Sequence, residues 1–446
     1  MDRHRSSSAA PHAGISVLDA AYGLRVAGDP EGALRVGVAY LERGTGQLRA
    51  AALVASTMIR LGRPLRAGYA LDRMVAGFIR RGDLAAATLA ALETGEERSR
   101  LIPPIAAAFA RTSPRLSAEL SRLPPPLPSP LAVDPTLASL SGDALLDRAT
   151  TALRSFVVQP DDVAEDAKIA AAPFFSALDV APLEALLSAL RSRECATGDV
   201  VVRQGEPGGE AYVVVDGALE VLREDRGSQP VRLASLGPGR LFGEMALVSA
   251  APRAATVRAL EPTQLLVISR ETLARVHAEY PEVGEELGRF CQARMVENLL
   301  RHSELLAVVP LAQRTALLER FTVTTFAPGD ALVAAGQPAR GLFLIASGEV
   351  EVFGADEQGE QVRLARLGPG DFFGESALAL DRRANATVVA THETVTLSLG
   401  RDQVAETLQA YPAVTRQLAD AASRRDEATQ TVLGRPTLEI DESVLV

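Results

Sequence analysis

The sequence predicts an α+β multidomain chain in which an N-terminal all-α hairpin array precedes two copies of one β-rich domain. Three observations carry this. Leucine, valine and alanine recur at three-and-four spacing through residues 14–111. Near position 173 the texture changes to short Val-rich runs between glycines. That second region then repeats itself at a constant offset of 131 residues.

The chain has 446 residues, enough for about three domains at roughly 100 to 200 residues each. Hydrophobic residues make up 47% and charged ones 23%, which suits a folded globular chain. The net charge of -10 provides no overall field to attract a nucleic-acid backbone. Of 46 basic residues only Lys168 is lysine, so arginine is too common here for any single one to signal anion binding. Cys195 and Cys291 fit neither a metal pattern nor a disulfide framework and suit a reducing cytoplasm. His4, His12, His277, His302 and His392 are dispersed, with no catalytic or metal-ligand spacing. The opening MDRHRSSSAAPHAG lacks the apolar segment of a signal peptide, and no apolar run is long enough to span a membrane.

Residues 1–13 are polar and expected to be disordered. ISVLDAAYGLRVAGDPEGALRVGVAYLERG then opens a helix-turn-helix pattern that turns at Gly28-Asp29-Pro30. The turn returns at Gly62-Arg63-Pro64, 34 residues on, and Ala33-Leu34 is echoed by Ala67. That period is tetratricopeptide-like, but the expected aromatic positions are mostly missing and Gly82-Asp83 breaks it. Residues 14–122 are therefore read as a helical hairpin domain, with a plain helical bundle left open. LPPPLPSPLAVDPT cannot continue a helix and forms a stiff linker over 123–137. SGDALLDRATTALRSF supplies a capped amphipathic helix within a helical connector, 138–172.

The repeated domains are expected at 173–302 and 303–423, followed by a tail, 424–446. Gly198 answers Gly329, Gly205 answers Gly336, Gly217 answers Gly348, and Gly237-Pro238-Gly239 answers Gly368-Pro369-Gly370. Val231-Arg232-Leu233-Ala234 is identical to Val362-Arg363-Leu364-Ala365, and Tyr280-Pro281 to Tyr411-Pro412. The glycines fall where tight turns between strands need positive φ.

One device within the repeat carries chemistry. In FGEMALVSAAPRAAT a strand ends at Leu241-Phe242, Gly243 removes the side chain, and Glu244 to Leu247 can form one helical turn whose free N–H groups suit a phosphate. Arg253 can return to grip that phosphate with its fork, with Pro252 stiffening the approach. Glu244 can accept a hydrogen bond from a ribose hydroxyl beside the phosphate, the arrangement of a cyclic nucleotide.

FGEMAL followed by PRAAT resembles the phosphate-binding cassette of cyclic-nucleotide-binding domains, as in cAMP-dependent kinase regulatory subunits and catabolite-activator-type regulators. The likeness covers 173–296 and 304–423 and implies two jelly-roll-like β-barrels with flanking helices. It further implies that Gly243 and Ala246 present backbone to the phosphate, that Glu244 holds the ribose 2′-hydroxyl, and that Arg253 pairs with an equatorial phosphate oxygen. Phe242, Met245, Pro252 and Ala254 complete this first site. Ala254 stands where cGMP-preferring members carry Thr or Ser, which favours cAMP as the ligand; no cofactor or metal is implied.

The second copy, FGESALALDRRANATVVA, keeps Gly374, Glu375, Ser376 and Ala377 but has Ala384 in the arginine position, with Arg382 and Arg383 early. It is read as a structural or interaction domain, with rescue of the phosphate contact by Arg383 left open. Leu287, Phe290 or Met295 on the amphipathic segment 282–300 are candidates to close over the base. The 23 residues after 423 leave no room for a helix-turn-helix DNA reader. The resulting expectation is a non-enzymatic, bacterial-type cytoplasmic cAMP receptor that meets a protein partner through its helical domain. A scaffold whose domains have lost the ligand, or a regulatory subunit of a separate enzyme, are the alternatives.

Overall fold

A computed structural model describes residues 17–433 apart from 44–46, 95–97, 118–132, 157–168, 173, 224–228, 249–251, 311–312, 315–316, 318–319, 339, 356–359 and 376–382. The expected disordered start, most of the proline-rich linker and the last residues of the tail lie outside the described residues. Contacts divide the chain into two compact units. One comprises Met1–Arg203, Glu210–Phe242 and Ala255–Glu286, the other Gln204–Gly209, Gly243–Ala254 and Leu287–Val446.

The first unit opens with helices α1 (Val17–Val26), α2 (Pro30–Arg43), α3 (Gln47–Arg60), α4 (Pro64–Arg81), α5 (Leu84–Leu92) and α6 (Arg98–Phe109), each packed on the next. The turns expected at Gly28 and Gly62 are left-handed, with φ of 88° and 75°. Short helix α7 (Pro135–Ala138) and α8 (Gly142–Ser155) pack back on this array. The cap expected at Ser141 differs: its side chain makes no capping bond, and the Gly142 N–H donates instead to the Glu31 carboxylate at 2.9 Å. Leu116–Ser117 (β1) and Ile169–Ala170 (β2) form a short parallel pair.

The β-rich part of this unit follows α9 (Val180–Ala189). Its strands are β3 (Arg191–Cys195), β4 (Val200–Val202), β5 (Glu210–Asp216), β6 (Leu219–Arg223), β7 (Val231–Leu236), β8 (Leu241–Phe242), β9 (Thr256–Ala259) and β10 (Thr263–Ser269). They make two antiparallel four-stranded sheets, ordered β3-β10-β5-β8 and β4-β9-β6-β7. Cys195, Val202, Tyr212, Val214, Leu219, Phe242, Val257 and Leu265 form the core of this domain.

The helical array is docked on the first of these sheets. Helix α5, LAAATLAAL, is apolar on every side and so must be covered on every side; α4, α6, β3 and β5 cover it. At the seam, Arg25 is nearly sealed from solvent and pairs with Glu194 of β3. Glu194 also accepts from Arg60 at 2.7 Å and from Gln264 at 3.2 Å. Arg25 donates to Ser56 and Thr57, and Arg49 pairs with Asp216 of β5. Burial pushes the Tyr22 hydroxyl and the neighbouring Glu93 carboxyl up from their ordinary ranges. Sequence gives no sign of this seam, because Arg25 and Glu194 are 169 residues apart.

After β10 come α11 (Arg270–Glu279) and α12 (Glu282–His302). The second unit then holds α13 (Glu304–Ala307) and strands β11 (Thr322–Phe326), β12 (Ala331–Val333), β13 (Gly341–Ser347), β14 (Val350–Ala355), β15 (Gln361–Leu367), β16 (Phe372–Phe373), β17 (Thr387–Ala390) and β18 (Thr394–Gly400). Their sheet orders, β11-β18-β13-β16 and β12-β17-β14-β15, reproduce those of the first copy strand for strand. The stacked Tyr212–Phe242 pair, 5.1 Å between centroids, is answered by Phe343–Phe373 at 5.0 Å. Helices α14 (Arg401–Ala410) and α15 (Pro412–Leu433) close the unit. Helix α15 runs through position 423, where the sequence suggested a tail would start.

Removing Glu194 leaves the Arg25 guanidinium enclosed without its carboxylate. Glu194→Ala is therefore expected to destabilise the chain by about 3 kcal/mol, read as a lower urea midpoint; an unchanged midpoint would contradict the seam.

Candidate functional site

In the first repeat the chain leaves β8 through Gly243, at φ 75°, and turns at Glu244 into α10 (Met245–Val248), one residue later than the sequence suggests. The Ala246 N–H closes the turn on the Gly243 carbonyl at 3.2 Å and Leu247 N–H on that of Glu244 at 3.0 Å. The Ala246 amide is thus engaged within the turn. Glu244 is buried at 5% exposure, as is Ala246 at 4%. Phe242 is part of the domain core rather than of the loop, its ring stacked on Tyr212. Met245 and Pro252 are half-buried and Ala254 is exposed.

Arg253 returns to this turn as the spacing predicts. Its backbone is clasped from both sides: Gly205 N–H donates to its carbonyl at 2.9 Å, and its own N–H donates to Glu206 at 2.9 Å. Its Nη1 donates to the Gly243 carbonyl at 3.1 Å. The guanidinium lies over Gly208, where a Cβ would stand 2.7 Å from Nε, 2.8 Å from Cζ and 2.7 Å from the Ala246 Cβ. Gly208 therefore leaves the room in which Arg253 crosses to the turn.

Helix α12 meets the same turn. Arg294 brings Nε to 3.7 Å from the Glu244 carboxylate, and the Cys291 thiol donates to the Glu244 carbonyl at 3.8 Å. Burial first, then the Glu244 carboxylate, push the Cys291 thiol up from 9.0 to about 12, against the opposing pull of Arg294. Of the candidates for a base lid, Leu287 is fully buried, Phe290 half-buried, and Met295 packs against the core of the second β-rich domain.

The second repeat retains the frame and changes the contents. Gly374 has φ 96°, and Glu375 is buried at 4% exposure. Gly336 N–H donates to the Ala384 carbonyl at 2.7 Å, and Ala384 N–H to Gln337 at 2.8 Å. Ala384 is thus clasped as Arg253 is, and is buried at 7% exposure. Arg383 does not reach the turn: its Nη1 donates to the Gly336 carbonyl at 2.8 Å on the surface. Ser376, Ala377 and Arg382 lie outside the described residues.

Arg425 of α15 pairs with Glu375 at 3.0 Å, donates to the Phe372 carbonyl at 2.5 Å and lies 4.9 Å over the Phe372 ring. Arg294 and Arg425 are again 131 residues apart, so each copy sets one arginine of its last helix against the cassette glutamate. Extending the repeat comparison into these helices would have revealed the pair; Gly208 carries no such signal.

A family described as the cyclic nucleotide-binding domain matches residues 192–280 and 323–411. The chain therefore carries two such domains in tandem. Similar proteins include a cAMP-dependent protein kinase regulatory subunit of Yarrowia lipolytica, 32% identical over 51% of this chain and 56% of that one. A subunit of the same description from Blastocladiella emersonii is 30% identical over 57% of this chain and 59% of its own. The chain thus spans little more than half the length of these curated relatives. Solved structures include the regulatory domain of Toxoplasma gondii PKA with cAMP, 22% identical, covering 56% of this chain and 92% of that one, at TM-score 0.27. The Thermus thermophilus Catabolite Activator Protein is 30% identical over 33% of this chain and 65% of that one, at TM-score 0.28.

The Cys291 thiol supplies a pH prediction. Between about 9 and 12 the unfolded chain has lost a proton that the folded chain keeps, so stability falls as pH rises through that window. Cys291→Ala should flatten this part of the pH–stability curve. Iodoacetamide at pH 8 should leave Cys291 unlabelled until the chain is unfolded; rapid native labelling would contradict the assignment.

Proposed function

We propose that this protein is a non-enzymatic, cytoplasmic cyclic-nucleotide receptor whose working sensor is the first of its two cyclic nucleotide-binding domains. The carrying observation is Arg253, held by its backbone clasp and given room by Gly208 to cross to the Gly243 turn beside the buried Glu244. A guanidinium fork and a carboxylate so placed suit a phosphate joined to a ribose hydroxyl. Ala254 offers no hydroxyl to guanine, which favours cAMP over cGMP.

The route out of the site begins at Glu244. A ribose hydroxyl donating to this carboxylate competes with Arg294 for the same oxygens, and Cys291 ties the turn's backbone to the same helix. Ligand binding thereby biases α12, the helix that leads toward the second domain. The docked helical array supplies a surface for a partner protein. Similarity to proteins described as kinase regulatory subunits supports a separate enzyme as that partner, and a role as regulatory subunit.

Calorimetry on the full chain tests the sensor. Arg253→Ala should weaken cAMP binding by about thirtyfold to several thousandfold, from the loss of about 2 to 5 kcal/mol of charge-assisted contact. Gly208→Ala should weaken it by about tenfold or more and also lower the unfolding midpoint, because the added methyl meets the buried Ala246 Cβ as well as the guanidinium. No heat and no thermal stabilisation at millimolar cAMP would sink the receptor reading. A pull-down with and without cAMP then reads the partner: capture that does not depend on ligand would remove the proposed coupling.

A further inference from the structure

We propose that the first unit holds a binding site apart from its cassette, for a small organic molecule that bears a phosphomonoester. The site is a groove of about 560 Å³ where the helical array meets the first β-rich domain, lined from α6, α9, β3, the end of β10 and α11. Its floor follows from the local sequence. On α9, Leu183, Leu186 and Leu187 are buried in the core, whereas Ala185, Ser188 and Ala189 stand at i, i+3 and i+4 and share a face. Those side chains are too short to fill the space between α6 and α11, both of which pack on α9.

Three guanidinium groups reach this space from three different elements: Arg98 of α6, Arg191 of β3 and Arg275 of α11. One arginine means little in this chain, but like charges brought together by tertiary packing repel unless anions join them. Arg191 has its anion, donating to Glu210 at 2.8 Å. Among the described residues the side chains of Arg98 and Arg275 have neither a carboxylate nor a carbonyl partner. Glu271 precedes Arg275 by one helical turn, the spacing of an ion pair, yet none joins them. The three arginines are also not caps of α9, since none of them donates to its last carbonyls among the described residues.

The inner wall supplies a further donor. Ser269 and Thr272 line the groove, each buried at 6% exposure, and the Ser269 hydroxyl donates to that of Thr272 at 3.1 Å while accepting from the Thr272 N–H. Two hydroxyls joined by one bond have one proton to spare, and among the described residues the Thr272 hydroxyl has no acceptor for it. A buried donor left open is costly, and an acceptor in the groove would satisfy it. Two open guanidiniums beside an open hydroxyl suit a dianion. A phosphomonoester carries close to two negative charges near neutral pH, whereas the phosphodiester of a cyclic nucleotide carries one. The groove falls within the range of about 300 to 1,000 Å³ typical of small-molecule sites, more than a free phosphate occupies. Glu271, at its rim, can accept from a hydroxyl of the organic part. None of this uses the cassette, so the proposal does not depend on the receptor reading.

Calorimetric titration of the full chain at pH 8 with glucose 6-phosphate, glucose 6-sulfate and inorganic phosphate tests this. Glucose 6-phosphate should bind, and the singly charged sulfate ester should bind at least about tenfold more weakly. Arg98→Gln and Arg275→Gln should each weaken the phosphate ester by about tenfold or more, Arg275→Lys by less than Arg275→Gln, and Thr272→Val by about fivefold. The two glutamine variants should keep the unfolding midpoint, because neither guanidinium is buried. Absence of heat from glucose 6-phosphate at millimolar concentration overturns the proposal. Inorganic phosphate binding as tightly as the ester overturns the organic ligand and leaves a site for the free ion. Heat that survives in the Arg98→Gln, Arg275→Gln double variant but is lost in Arg253→Ala also overturns it, by placing the ester in the cassette. Failure of the chain to bind cAMP would sink the receptor reading and leave this titration unaffected.

Discussion

Two backbone hydrogen bonds hold the equivalent position of both cassettes in place. The clasp from Gly205 and Glu206 to residue 253, repeated from Gly336 and Gln337 to residue 384, places one side chain against the cassette turn in each copy. Because both bonds involve main-chain atoms, they persist whatever side chain occupies the position. The frame is therefore independent of the side chain it carries, and the second copy holds alanine where the first holds arginine without slipping its register. The same separation explains why the two domains share strand order and aromatic stack while differing in the residue at this position, Arg253 in one and Ala384 in the other.

Glutamate at the turn has a second constraint. Glu244 and Glu375 are both buried and each faces an arginine from the last helix of its domain. A carboxylate so enclosed without a cation would be costly, and a guanidinium left without the carboxylate equally so. On the proposed receptor reading, the pair links ligand recognition to helix position through one side chain, because a sugar hydroxyl and the helix arginine would draw on the same oxygens. At the first turn Cys291 adds a bond to the Glu244 carbonyl, so backbone and side chain of one residue both report to α12. The second copy has Ala422 in the place of Cys291 and sets Arg425 against Glu375, held also by the Phe372 carbonyl and ring.

Much of this was legible in the sequence, for a physical reason: turns that need positive φ recur as glycines at fixed intervals, and the 131-residue offset is visible by eye. The strands, the turn after β8 and the return of Arg253 follow from that pattern. Contacts between distant segments do not. Glu244 and Arg294 are 50 residues apart, Arg25 and Glu194 farther still, and no local period records either. Helix α5 is intermediate. Its uniform apolarity required cover on all sides but did not say that part of the cover would be β3 and β5.

Arginine shows most clearly where composition stops being informative. Arg253, Arg294, Arg383 and Arg425 are indistinguishable by type in a chain that uses arginine almost to the exclusion of lysine. The acceptor each guanidinium faces tells them apart: the Gly243 carbonyl at the cassette turn, the Glu244 carboxylate, the Gly336 carbonyl at the surface, and the Glu375 carboxylate. Arg425 meets a carboxylate, a carbonyl and an aromatic ring with one planar group, a set of contacts that a lysine ammonium has no flat face to make. Arg383, one residue from the clasped position, turns its guanidinium to the Gly336 carbonyl at the surface. A shift of one residue in sequence is therefore a change of partner rather than a small displacement, because the clasp at 384 fixes which side chain is directed inward.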